Sequence, residues 1–106
     1  MSEREARRVA VVCPGRGSYT ERSLGSLAQD HPLVQRSDEL RAGYGLLALS
    51  HLDQAGRFSQ ATHLRPANAS PLIWLVSMLD ASTVLEADRC VAIAGNSMGW
   101  YTALAV

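Results

Sequence analysis

Apolar residues recur along this chain in two different rhythms, and the change of rhythm predicts its elements. Val9 to Cys13 is a continuous, β-branched run closed by Pro14-Gly15. A run of that kind, bounded by breakers, predicts a strand covered on both faces, as in a parallel sheet. Thr20 to Gln29 carries Leu24, Leu27 and Ala28 at spacings of three and four, which predicts a helix stopped by Pro32. Leu33–Ala42, ending near Gly43, predicts a second helix, and Leu46–Ala55 a third with Gly56 just beyond it. Residues 57–69 mix polar and apolar positions without a period and predict irregular chain. Ser70-Pro71 has the form of a helix start, Ser as N-cap and Pro at the first helical position. The apolar face Leu72, Leu75, Val76 and Leu79, widened by Ile73, Trp74 and Met78, predicts a buried helix to about Leu85. A polar connector, residues 86–89, leads to Cys90–Ala94, a second run predicting a buried strand. Gly95-Asn96-Ser97-Met98-Gly99 reads as a tight turn, and Trp100–Val106 as the start of another helix. Strands separated by helical crossovers imply an α/β fold, a parallel sheet flanked by helices.

Composition narrows the class. At 106 residues the chain is one small domain, able to bury roughly 65% of its unfolded surface. Apolar residues are 47% and charged residues 19%, a globular balance. Basic residues, all of them Arg, number 10 against 10 acidic ones. A net charge of zero argues against nucleic acid and against an anionic membrane surface as partners. Residues 1–8 read as a frayed leader and 9–106 as the folded part. No secretory signal and no bilayer-spanning run is present, so the expected localisation is cytoplasmic. Cys13 and Cys90 both sit in apolar runs and read as buried free thiols. No Cys or His spacing suits a metal. Asp38-Glu39 reads as a solvated pair, and His31, His51 and His63 as solvated structural residues.

Chemistry concentrates at Gly95–Gly99, which fits G-x-S-x-G between a strand and a helix. That setting is the one a nucleophile elbow requires. Small neighbours let the strand and helix approach closely, and the Ser97 hydroxyl then projects from the sheet's carboxyl edge. Backbone N–H groups at the start of the next helix favour developing negative charge. An ordinary strand–helix turn with a serine cap is the alternative. Pro14-Gly15-Arg16-Gly17-Ser18, after the first strand, admits three readings. It lacks the Lys of a phosphate-binding loop and the third Gly of a dinucleotide-binding one. It can be a plain turn, or a loop that brings a backbone N–H to the edge of the sheet as an oxyanion donor.

Val12-Cys13-Pro14-Gly15-Arg16-Gly17-Ser18 resembles the F-P-G-Q-G-S opening of malonyl-CoA:acyl carrier protein transacylases and related acyltransferase domains. Gly95 to Tyr101 resembles their G-H-S-L-G-E-Y elbow, and Ala69-Ser70-Pro71-Leu72-Ile73 their T-Q-P-A-L helix start. The three segments occur in the family's order, and the resemblance spans residues 9–106. It implies an incomplete acyltransferase core, the amino-terminal part only. Ser97 would be the acylated nucleophile, and the backbone N–H groups of Arg16 and Met98 the oxyanion hole. Asn96, Ser70 and Trp100 stand where the family has His, Gln and Glu, and these departures, with Tyr19 in place of a second Gln, bear on substrate choice. The implied activity moves an acyl group, expected to be malonyl, from coenzyme A through Ser97 to the thiol of an acyl carrier protein, so the implied partners are an acyl-CoA and an acyl carrier protein, with no tightly bound cofactor. The family's catalytic His and its carboxylate-binding Arg lie beyond the elbow, whereas all three histidines here precede Ser97. The expectation is therefore a chain that is inactive alone for want of a base. Two alternatives are a serine hydrolase or thioesterase on the same elbow, and a non-catalytic fragment or interaction module.

Overall fold

The computed structural model describes residues 6–106. Among the described residues two strands, β1 (Arg8–Cys13) and β2 (Arg89–Gly95), pair in parallel, and five helices accompany them. These are α1 (Pro32–Gly43), α2 (Leu49–Asp53), α3 (Gln60–His63), α4 (Pro66–Leu85) and α5 (Gly99–Ala105). The register runs from Arg8 opposite Arg89 to Cys13 opposite Gly95, with an irregularity between Val9 and Ala10. The segment read as a frayed leader is therefore partly structural, although residues 1–5 of it lie outside the described residues. Arg8 opens β1, and the Arg7 guanidinium grips the Asp88 carboxylate with two hydrogen bonds of 3.2 and 2.9 Å.

The sheet is not covered on both faces. Val12 is 72% exposed, and Val91 and Ile93 are also exposed. β-branched runs ask for burial, but a two-stranded sheet needs further layers to supply it. Cys13 is buried and Cys90 half-buried, both as free thiols. The core lies instead among the helices, where Val34, Leu49, Leu52, Leu72, Ile73 and Leu75 pack with Tyr19 and Leu27.

Three helices differ from the sequence reading, each for a visible reason. Thr20–Gln29 forms only a single 3-10 turn, Glu21–Ser23. Beyond it Gly25 takes φ 83°, and the Ser26 and Leu27 amides donate to the Asp53 carboxylate at 3.2 and 3.0 Å instead of closing helical turns. Leu27 still reaches the core. The third helix is shortened to α2, beside which the Ser50 amide and hydroxyl donate to Asp38. Asp38 is thus engaged rather than solvated, while Glu39 pairs with Arg36 at 3.3 Å.

The last difference is the start of α4. Ser70 is not its N-cap; the helix begins five residues earlier, with Pro66 in its first turn, and continues through Pro71. A proline inside a helix removes the hydrogen bond to the carbonyl four residues before it. That carbonyl, of Ala67, accepts instead from Arg41 Nη1 at 2.9 Å. Arg41 also donates through Nη2 to Asn68 Oδ1 at 2.7 Å and through Nε to the Leu47 carbonyl. Burial lowers the pKa of this guanidinium, and Asp38 opposes that shift. The α3 helix and the first turn of α4 occupy the stretch expected to be irregular.

Candidate functional site

β2 ends at Gly95 and α5 begins at Gly99, so Ser97 sits on the turn between them. Its φ is 56°, the one positive value at a non-glycine position among the described residues. Left-handed backbone costs a side-chain-bearing residue roughly 1–2 kcal/mol and persists only where surroundings impose it. The surroundings here are bare backbone. A Cβ on Gly95 would lie 2.2 Å from the Gly99 carbonyl carbon. One on Gly99 would lie 2.2 Å from the Cys13 oxygen, and one on Gly15 2.5 Å from the Asn96 oxygen. Three glycines thus press the end of β1, the end of β2 and the start of α5 together. The Asn96 amide extends the sheet by donating to the Cys13 carbonyl at 3.0 Å, and Gly99 and Trp100 close the turn on Asn96 and Ser97.

Pro14–Ser18 follows β1 on the same edge. Gly15 is required by close approach, since its added Cβ would also lie 3.2 Å from Ser97 Cβ. Gly17 takes φ 88° and lets the chain turn. The Arg16 and Met98 amides have no backbone acceptor among the described residues. Ser97, Asn96, Arg16 and Trp100 are exposed, while Met98 is half-buried and packs on the core. Arg16, Asn96, Ser97, Met98 and Trp100 therefore belong to one sheet edge. Ser70 does not; it is a half-buried residue in the second turn of α4.

The histidines lie on other segments, α1's cap, α2 and α3. His31 Nδ1 accepts from the Leu33 amide at 3.0 Å and caps α1. His51 is exposed on α2. His63 is buried rather than solvated, with its ring stacked 4.9 Å from Phe58 and 6.3 Å from Tyr19. Its Nε2 donates to the Leu52 carbonyl at 2.8 Å and its Nδ1 accepts from the Ser59 amide at 2.9 Å, so both nitrogens are used. Beside it the buried Asp53 accepts from Tyr19 Oη at 2.7 Å. Burial first, then Asp53, pushes the Tyr19 phenol far above its ordinary range. Burial, helped by Cys90, raises the Cys13 thiol as well. This Tyr19–Asp53–His63 group was missed in the sequence; its members are 34 and 10 residues apart, and nothing local marks them.

An open cavity of about 360 Å³ runs between β1 and α4 and ends at Pro14 and Ser18, without including Ser97. Among the described residues no three His, Cys, Asp or Glu side chains gather as a metal site, and no helix is long and apolar enough to cross a membrane. The chain matches no known protein family, no curated protein and no solved structure.

Proposed function

We propose that this chain carries the nucleophile half of an acyltransferase, with Ser97 on a nucleophile elbow. The observation that carries the reading is a solvent-accessible serine at φ 56° between a parallel strand and a helix. A strained serine enclosed by backbone contacts is costly to keep as a plain turn, where glycine would do as well. The uncommitted Arg16 and Met98 amides on the same edge supply donors of the kind an acyl-transfer oxyanion needs. In the proposed reaction Ser97 Oγ attacks the carbonyl of an acyl thioester of coenzyme A. The C–S bond breaks, the acyl group becomes a serine ester, and the hydroxyl proton passes through a base to the departing thiolate. The thiol of an acyl carrier protein then attacks the ester, and Ser97 regains its proton. Among the described residues no histidine hydrogen-bonds Ser97, and His63 has both nitrogens engaged. A serine with no base is a poor nucleophile at neutral pH, so added imidazole should assist it.

The test is intact-mass detection of acyl-enzyme after incubation with acyl-CoA and imidazole, beside Ser97→Ala. Acylation of the native chain that rises with imidazole and is absent from Ser97→Ala supports the reading. Equal acylation of both chains overturns it.

A further inference from the structure

We infer that the slot between β1 and α4 takes a third strand: an extended apolar segment of a partner polypeptide, with a Lys or Arg opposite Asp80. Residues 10–14 line the cavity without a break, and no residue of β2 does. Side chains alternate between the faces of a strand, so a cavity over one face would meet every second residue and the neighbouring strand as well. The unbroken run places the cavity along the free edge of β1. The backbone agrees. The Arg7 and Cys13 carbonyls accept from the Arg89 and Asn96 amides, on the β2 side. Backbone direction repeats every two residues, so Ala10 and Val12 turn their N–H and C=O groups the other way, toward the slot. Edges of this kind are usually guarded by charge, proline or a bulge, and Val9–Cys13 carries none of these. The outer edge of β2 is guarded: the register passes over Val91, and Arg89 opens the strand.

The far wall selects the occupant. Ile73, Val76, Ser77, Asp80 and Val84 recur on one face of α4. From Ile73 to Val84 that face runs about 16 Å, the length of an extended segment of about five residues. A strand edge facing an apolar helix is the setting for strand addition, in which main-chain hydrogen bonds give affinity and alternate side chains give specificity. Asp80 lies near the middle of the wall, exposed, and is the one charged side chain of the lining. The ion pairs among the described residues, Arg7–Asp88 and Arg36–Glu39, leave it out. A segment with apolar side chains on either side of a central cation complements this wall. A second copy does not fit as well. Paired antiparallel along β1, it would bring its own α4 over the same slot, and two helices about 10 Å across would crowd strands only about 5 Å apart.

The test uses the whole chain and the peptide acetyl-Val-Thr-Lys-Thr-Val-amide, whose side-chain pattern is the same in either strand direction. Calorimetry should show saturable binding. Amide exchange should slow about tenfold at Ala10 and Val12 and stay unchanged at Val11, which faces β2. An added strand offers alternate amides to β1, so N-methylation of one alternate set of peptide amides should abolish binding, and of the other set should leave it. The peptide with Glu in place of Lys should bind about tenfold more weakly, and Asp80→Lys should reverse that order. Val12→Pro removes a free-edge donor without touching a bond to β2 and should weaken binding; if that chain does not fold, Asp80→Lys still gives the readout. No binding, binding that leaves Ala10 and Val12 exchange unchanged, or indifference to N-methylation or to Asp80→Lys overturns the inference. So does protection of those amides that rises with protein concentration and that the peptide does not displace, because the occupant is then a second copy. Ser97→Ala should bind the peptide as the native chain does, which keeps this result apart from the acyltransferase reading.

Discussion

The helical region between Tyr19 and Ala81 and the sheet with α5 use their polar groups in opposite ways. In the helical region the polar atoms that enter the core meet one another. Asp53 takes three donors, His63 uses both ring nitrogens, and Arg41 binds Leu47, Ala67 and Asn68. Such a network specifies one arrangement and leaves nothing for a substrate. At the sheet, contact is made by backbone against backbone through Gly15, Gly95 and Gly99. Cys13 and Thr102 are buried there, while Val12, Trp100, Tyr101 and Leu104 remain exposed. Buried polar hydrogen bonds are concentrated in the first region, and the exposed serine turn lies in the second.

The comparison can be broken by substitution. Leu75→Ala empties a fully buried site in the helical core and should cost about 4 kcal/mol in urea unfolding. Gly99→Ala puts a methyl group into the Cys13 carbonyl and should cost about 3 kcal/mol. Its effect should be local: hydrogen exchange should show β1 and β2 amides losing protection while those of α1 and α4 keep theirs. Uniform loss across the chain would show that the two regions are one cooperative unit.

Asp53→Asn weakens the acceptor shared by Tyr19, Ser26 and Leu27 and should cost about 2 kcal/mol. The same cluster predicts a pH dependence. The folded state raises the Tyr19 pKa, so this contribution is complete below the phenol's ordinary pKa of about 10. It is lost as pH rises above that value toward the folded one, because the unfolded chain releases the proton first. Urea midpoints at pH 8 to 11 should fall for the native chain and fall less for Tyr19→Phe. The smallest expected effect belongs to the sheet region. Ser97→Gly relieves the left-handed backbone and should stabilise by about 0.5 kcal/mol, the strain relief being offset by the entropy of glycine. A loss of stability instead would mean that the turn does not strain the serine.

The two strands and the place of Ser97 between strand and helix were legible from local pattern, because they depend on neighbours in sequence, and the parallel pairing followed from the helical crossover that separates the strands. The misreadings came from long-range partners. Leu24 and Leu27 have helical spacing, yet Asp53, 26 residues after Leu27, takes the amides that a helix would need. Pro71 looks like a helix start because the partner that lets it sit inside a helix, Arg41, is 30 residues away. His63 looked solvated because its aromatic cover comes from Tyr19 and Phe58 on other segments. The openness of the sheet is a matter of how many layers are present, which the composition of a strand does not record.

Pro71 also has a consequence for how this sequence can drift. By freeing the Ala67 carbonyl it creates a receptor for a buried cation, and Arg41 fills it. Neither residue is readily replaced first. Alanine at 71 restores the helical amide, which then competes with the guanidinium for the same carbonyl; leucine at 41 leaves Ala67, Leu47 and Asn68 each short of a donor. The two positions should therefore vary together in an alignment of relatives. Pro71 paired with Arg41 is one permitted state, and an amide-bearing residue paired with an apolar one is the other, with mixed combinations rare.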